Sequence, residues 1–343
     1  MKKIRVLTAI LLVLALMGAA GAIAQEEWKP SQTIRIYLGF SAGGGIDAMC
    51  RTAAPAMAEY LGVDVIVENM PGASSGIATD YVLSQPADGY SILGTSSSMC
   101  AFSTTENSDA SYLQLDMLAM PFVVKNTGVV VNAKLGIDTM EDFIKYVTEN
   151  NTIASTAGVG SMWHIPAAKL AETLGCLGKV TFVPYDSGNK TALAVAQGEA
   201  DWSAVDTQNA GEYMKGGLCK MLCVFSSEPF EYEGFGSIPA ITDFVPEIAD
   251  SADILGGWRG FAVSKDTPDH IKQKLTEAFT YAVNTDQFKE LLKQNNIDAE
   301  KDVVYGAEAQ EIFEHSSRVS SYLLYDLGDG TRNPEDVGVL RWE

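Results

Sequence analysis

The chain runs to 343 residues, 47% of them hydrophobic and 20% charged, the composition of an ordinary soluble globular protein with room for about two domains. Its formal net charge is -20. Acidity of that order argues against nucleic acid and anionic membrane surfaces as partners, so any anionic ligand has to be held by local backbone dipoles.

Lys2, Lys3 and Arg5 form a basic n-region, residues 6–17 an apolar stretch, and Ala22-Ile23-Ala24 a small-residue cleavage site before Gln25. This is the layout of a cleaved secretory signal over residues 1–24, and no Cys follows to make a lipoprotein. The mature protein is therefore expected in the periplasm or another extracytoplasmic space. Five cysteines leave at least one unpaired. Cys219 and Cys223 sit four apart on an apparent strand, about 13 Å along the chain, too far for a bridge. The cysteines read as small buried apolar residues.

The alternating run over 33–38 predicts a strand. It is followed by Phe40-Ser41-Ala42-Gly43-Gly44-Gly45 and then by Ala48, Met49, Ala53, Met57, Tyr60 and Leu61 at helical spacing, ended by Gly62. Strand, glycine loop and helix N-terminus together make an anion cradle without a Lys or Arg: glycines let the backbone turn, and the helix points its unpaired amides at the same space. A second strand over 63–67 completes a βαβ unit and implies a parallel sheet. After a turn at Pro71-Gly72 and a short helix ending near Leu83, a third strand at 90–94 runs into the hydroxyl cluster Thr95-Ser96-Ser97-Ser98. In open α/β sheets, ligands bind at such carboxyl ends.

Strands at 122–124 and 128–131 follow, then a helix with Asp138 as its N-cap. Residues 152–164 repeat the opening device: strand, spaced glycines in Gly158-Val159-Gly160-Ser161, and a helix through Leu174. Two cradles in one chain suggest two facing domains. A strand at 180–183 ends at Pro184-Tyr185, and another at 201–206 delivers Asp206 to the same end. The strand at 218–226 is expected to return the chain to the first domain. One more strand (258–263), helices over 268–283 and 286–294, and a loosely packed tail at 337–343 complete the reading.

Gly43-x-Gly45-x-x-Ala48, with Glu68 about 20 residues on, also matches a dinucleotide fingerprint. Three residues intervene before the first glycine, Asp47 would face the pyrophosphate, and an exported chain seldom meets nicotinamide. Ser161 and His164 lie three apart and raise a hydrolase, but no G-x-S-x-G elbow surrounds any serine. His164 reads instead as a helix-face residue that hydrogen-bonds a loop. No His and Cys pair has metal-ligand spacing, so neither metal nor cofactor is expected. Trp258 is the best aromatic candidate for lining a cleft; Arg259 is either a carboxylate clamp or, the favoured reading, a surface salt bridge.

The export signal, Gly39-Phe40-Ser41-Ala42-Gly43-Gly44 with Asp47 and Arg51, Val67-Glu68-Asn69-Met70-Pro71-Gly72-Ala73, Ala87-Asp88-Gly89-Tyr90, Gly158-Val159-Gly160-Ser161 with His164, Val183-Pro184-Tyr185 and Gly198-Glu199-Ala200-Asp201 occur in that order. The whole resembles the Bug family, the extracytoplasmic solute receptors of tripartite tricarboxylate transporters, over nearly all of the chain up to about Tyr325. The resemblance implies a periplasmic-binding-protein-like (Venus flytrap) α/β fold with two domains and a ligand cleft between them. Domain 1 is expected over 25–124 with 227–343 and domain 2 over 125–226. It implies a non-catalytic, monomeric receptor that takes a small organic carboxylate and docks on a membrane permease of one large and one small subunit. Carried over by motif, the ligand is held by Phe40, Ser41, Ala42, Gly43, Gly44 and Asp47 on one side, and by Thr156, Gly158, Val159, Gly160 and Ser161 on the other, with Asp206 at the cleft. Ser96, His164 and Tyr185, at neighbouring strand ends and loops, complete the expected set. Met70 stands where the family usually has Arg, and Asp186 where it has Lys. Both remove positive charge, which weakens the case for a tricarboxylate and leaves room for an amino or aromatic acid. The rival readings are an exported hydrolase using Ser161 and His164, and a sensor presenting its ligand to a membrane kinase.

Overall fold

The computed structural model describes residues 28–341 apart from 186, so the signal expected over 1–24 and the departure at Asp186 lie outside the described residues. Strand β1 (Ile34–Leu38) turns Ile34, Ile36 and Leu38 to one cluster of buried side chains and Tyr37 to another. A strand covered on both faces needs apolar residues at nearly every position, which is why the run is so continuous. The glycine loop leads into α1 (Gly45–Leu61), which ends where Gly62 turns left-handed (φ 73°) and its N–H bonds Ala58 O at 2.9 Å. β2 (Val65–Asn69) returns parallel to β1, and after α2 (Gly76–Ser84) strand β3 (Ser91–Ser96) pairs parallel on its other side.

The chain then runs along β4 (Leu115–Val123) and crosses into a second sheet at β5 (Thr127–Asn132). There follow α3 (Met140–Glu149), β6 (Thr152–Thr156), α4 (His164–Thr173), β7 (Val180–Pro184), α5 (Gly188–Gln197), β8 (Trp202–Asp206), α6 (Thr207–Lys215) and β9 (Cys219–Val224). The strand order is β7-β6-β8-β5-β9. Two expectations are corrected here. Thr139, not Asp138, caps α3: its hydroxyl accepts from Asp142 N at 3.1 Å, while Asp138 pairs with Lys220. β9 is the edge strand of the second sheet, and the return comes only after the hairpin β10 (Phe230–Tyr232) and β11 (Gly236–Ile238).

Back in the first sheet, β12 (Trp258–Ser264) lies antiparallel between β3 and β4. Then come α7 (Asp269–Val283), α8 (Asp286–Gln294), the short β13 (Val304–Tyr305) and α9 (Gly306–Leu327). The order is β13-β4-β12-β3-β1-β2. Helices α1 and α7 cover one face, where Phe261 stacks on Phe279 at 4.1 Å between ring centroids. Helices α2 and α9 cover the other, over Leu93, Met117, Trp258 and Phe313. Both sheets thus have the expected α/β build, two domains with helices packed on mixed sheets.

Helix α9 is the largest feature absent from the sequence reading. Phe313 packs under the first sheet and Leu323 and Leu324 in the second sheet's core, so the helix bridges both. The tail as described, up to Arg341, is also not loose. Val339 is fully buried, its carbonyl accepts from Tyr322 Oη at 3.0 Å, and Arg341 forks onto Asp326 at 2.7 and 2.9 Å. All five cysteines are buried free thiols, and burial pushes those of Cys219 and Cys223 up to about 12. They are inert packing residues.

Candidate functional site

The first cradle is built by Asp47. Its carboxylate, buried under the loop, accepts from Gly43 N and Asn69 Nδ2 at 3.0 Å and from Arg51 Nε at 3.0 Å, and Asn69 Nδ2 also reaches Phe40 O at 3.0 Å. Gly43 is the left-handed corner (φ 87°) of this turn. Burial alone pushes the Asp47 carboxyl up, but Arg51, the Gly43 amide and Asn69 outweigh it and hold it below its ordinary 3.8. Asp47 is therefore the loop's anchor rather than a group free to meet a ligand. Ser41, Ala42, Gly43 and Gly44 are exposed and Phe40 is half-buried against the core.

The anchored loop leaves the start of α1 open. Gly44 is extended and offers no side chain as a cap, and no described residue accepts from the backbone N–H of Gly45, Ile46 or Asp47. These amides are donors without acceptors at the positive end of a 17-residue helix. Ser96, at the carboxyl end of β3, is buried, its hydroxyl accepting from Ser98 N at 3.4 Å.

The second cradle differs. Gly158 N donates to Thr156 Oγ1 (3.3 Å), Gly160 N to His164 Nδ1 (3.2 Å) and Ser161 N to Gly158 O (3.1 Å). Three of its amides are consumed internally, and Val159 is its most exposed residue. His164 is the loop-bonding residue expected: it is 1% exposed, and burial lowers its pKa while Asp329, 3.7 Å from Nε2, opposes the shift. Ser161 Oγ accepts from the His164 backbone N–H at 3.1 Å and has no bond to the imidazole. That geometry gives no nucleophile and base pair. Tyr185 adjoins this loop through its backbone, its N–H donating to Thr156 O at 2.7 Å, while its hydroxyl donates to Glu199 at 3.2 Å.

Asp206 is buried at the end of β8 and caps α6, accepting from Asn209 N at 3.0 Å and from Trp163 Nε1 at 3.2 Å. Across from it stands a residue given the wrong role by sequence: Arg259. It is not a surface salt bridge. It is 7% exposed on β12, opposite Ser96 in one register and Phe122 in the other, with its guanidinium carbon 5.6 Å from the Phe122 ring centre. Because β12 runs antiparallel, its first residues lie at the carboxyl ends of β1 and β3, where the cradle is. A Cβ added to Gly45 would lie 3.2 Å from Arg259 Nη1. Trp258, the expected cleft aromatic, points instead into the core, 1% exposed, and its Nε1–H reaches Ser316 Oγ at 3.3 Å.

The two halves touch. A Cβ on Gly160 would fall 2.8 Å from Ala101 Cβ, and one on Gly257 would fall 3.1 Å from Met162 Cε. Asp206 and Arg259, from different sheets, line one cavity of about 10 Å³ together with Asn126 and Asn295.

Anchoring of the first loop is testable by pH. The Asp47 value is lowered on folding, so its contribution is fully present above the ordinary value near 3.8 and is lost as pH falls through the lowered one. Asp47→Asn is expected to cost about 1–3 kcal/mol at pH 7 and to flatten the acid limb of the stability curve. An acid limb as steep as that of the unsubstituted protein counts against the anchor.

The family model described as tripartite tricarboxylate transporter family receptor matches residues 49–318. A UPF0065 protein of Cupriavidus necator is 27% identical over 290 residues, 82% of this chain and 84% of that protein. The protein BugT of Bordetella pertussis is 25% identical over 260 residues, 73% and 77% of the two chains. Among solved structures, a TctC solute binding protein from Polaromonas superposes with a TM-score of 0.72 at 24% identity, covering 87% of this chain and all of that one. A Rhodopseudomonas palustris protein solved with adipate gives 0.69 at 19% identity (87% and 98% covered), and MatC from the same organism, solved with bound malate, 0.64 at 19% (90% and 99%). The fold is that of periplasmic binding proteins.

Proposed function

The chain belongs to the tripartite tricarboxylate transporter receptor family, and from that premise we propose that it captures a small organic carboxylate between its two lobes outside the cytoplasm and delivers it to a membrane permease of one large and one small subunit. The observation that carries the reading is the open start of α1: three amides without acceptors, presented by a loop that Asp47 holds in place. In a chain of net charge -20, such a helix end is where a carboxylate finds positive potential without a lysine. Solved proteins of this fold hold adipate and malate, and that is the ligand class we carry to this chain. The second loop contributes shape and contact more than donors, because the amides of Gly158, Gly160 and Ser161 are already bonded. The proposal includes the division into 25–124 with 227–343 and 125–226, a cleaved segment 1–24, and a monomeric receptor closing by hinge motion.

A thermal-shift screen of the mature protein against mono-, di- and tricarboxylates, amino acids and aromatic acids tests it. A ligand binding only the folded state at 100 times its dissociation constant adds about 2.7 kcal/mol. A rise confined to one group of acids is expected. No rise with any of them, in protein freed of carried-over ligand, refutes the carboxylate reading.

A further inference from the structure

Arg259 is a cation in an adverse place. The residue is 7% exposed, and its guanidinium makes no hydrogen bond and no ion pair within 4 Å with any described residue. A guanidinium carries five N–H donors and cannot shed its charge. Here it abuts Gly45, the first residue of α1, so a full positive charge sits against the positive end of a helix dipole. Asp206 lines the same cavity, but its carboxylate is taken up by Asn209, by Trp163 and by capping α6. The cavity of about 10 Å³ beside it has room for one water. Arginine and helix amides thus ask for the same missing partner, an anion, from two independent directions.

Resting on the receptor reading above, we propose that Arg259 is the charge-pairing residue of the cleft, forking onto one carboxylate of the ligand while the free amides of Gly45 and Ile46 bond its remaining lone pairs. A planar fork suits a planar carboxylate, and the Phe122 ring at 5.6 Å steadies the guanidinium for it. Asp206 narrows the class further. Arg259 faces the buried Asp206 carboxylate across the cavity, and Gly45 at the helix start abuts the same guanidinium, so a second negative group close to the first is repelled by Asp206. The ligand is therefore a monocarboxylate, or a dicarboxylate whose second group stands several bonds away, and not a compact tricarboxylate.

The test is calorimetric titration of the mature protein with butyrate, malate, adipate and citrate, repeated on Arg259→Met and Arg259→Lys, with the melting temperature of each unliganded protein recorded. Butyrate or adipate is expected to bind more tightly than citrate. Arg259→Met should weaken that binding at least 100-fold and leave the unliganded melting temperature equal or higher, because an unpaired buried charge has been removed. Arg259→Lys, which keeps charge but loses the fork, should fall between. Unchanged affinity in Arg259→Met overturns the assignment while leaving the receptor reading intact. So does a melting temperature lowered by several degrees, which would mark Arg259 as the structural partner of Asp206. Tightest binding of citrate overturns the ligand class. Failure of the unsubstituted protein to bind any of the four overturns the assignment and its ligand class, whereas the receptor reading falls only with the wider acid screen above.

Discussion

Replacing Trp258 with alanine is expected to remove about 4 kcal/mol of stability, in the range of Trp and Phe truncations in well-packed cores. The indole is 1% exposed at the start of β12, it meets Phe313 of α9 edge to face at 5.5 Å, and it donates to Ser316 Oγ. Alanine leaves a cavity between the sheet and α9 and strips a buried hydroxyl of its donor. Trp258→Phe keeps most of the volume, so it should cost only the hydrogen bond, about 1 kcal/mol. Urea unfolding of both variants measures the difference. Should Trp258→Ala unfold like the parent while losing ligand affinity, the indole belongs to the cleft and not to the core.

That residue marks the boundary of what sequence could deliver. The alternation of strand, glycine loop and helix was legible because each step is local: period two over 33–38, then glycines, then period 3.6. The order of motifs was legible too, and it carried the family. What failed were partners far apart in the chain. Arg259 sits in Trp258-Arg259-Gly260-Phe261-Ala262-Val263, where no polar alternation marks a solvent face. That absence was the available signal, since a strand buried on both sides has nowhere exposed to put an arginine. Helix α9 was hidden for the opposite reason. Its buried face carries Ser316, Ser317, Ser320 and Ser321 where an apolar stripe is looked for. Ser316 and Ser321 are tolerable in the core because distant groups bond them: Trp258 Nε1 donates to Ser316, and Ser321 donates to Cys100 O. The tail was misread likewise, for Val339 is buried only because Tyr322 and Arg341 fold it back.

The site itself divided along the same line. The donors of the first cradle follow from local geometry, whereas the bonding of the second depends on His164 turning its ring back onto Gly160. That turn also sets a contact between the lobes on which the proposed closure rests, and it can be tested with a single methyl group. Gly160→Ala is expected to weaken carboxylate binding at least tenfold, about 1.4 kcal/mol. Gly160 is left-handed (φ 75°), and an added Cβ would stand 2.8 Å from Ala101 Cβ, in the segment that follows β3. Both partners are attached to packed structure, Ala101 inside the second sheet's buried cluster and Gly160 through its bond to His164, so the lobes have to part to make room. Backbone strain has to be separated from this clash, because any left-handed L residue costs about 1–2 kcal/mol. Gly175→Ala supplies the comparison: Gly175 is left-handed at 67° in the same lobe, and a Cβ there meets nothing within 4 Å. The two variants should melt at similar temperatures without ligand, while only Gly160→Ala loses affinity and fails to compact in small-angle scattering when adipate or butyrate is added. If both bind as the parent does, the contact between Gly160 and Ala101 has no part in closure. If both weaken equally, strain in the second lobe, and not a blocked trap, is the cause.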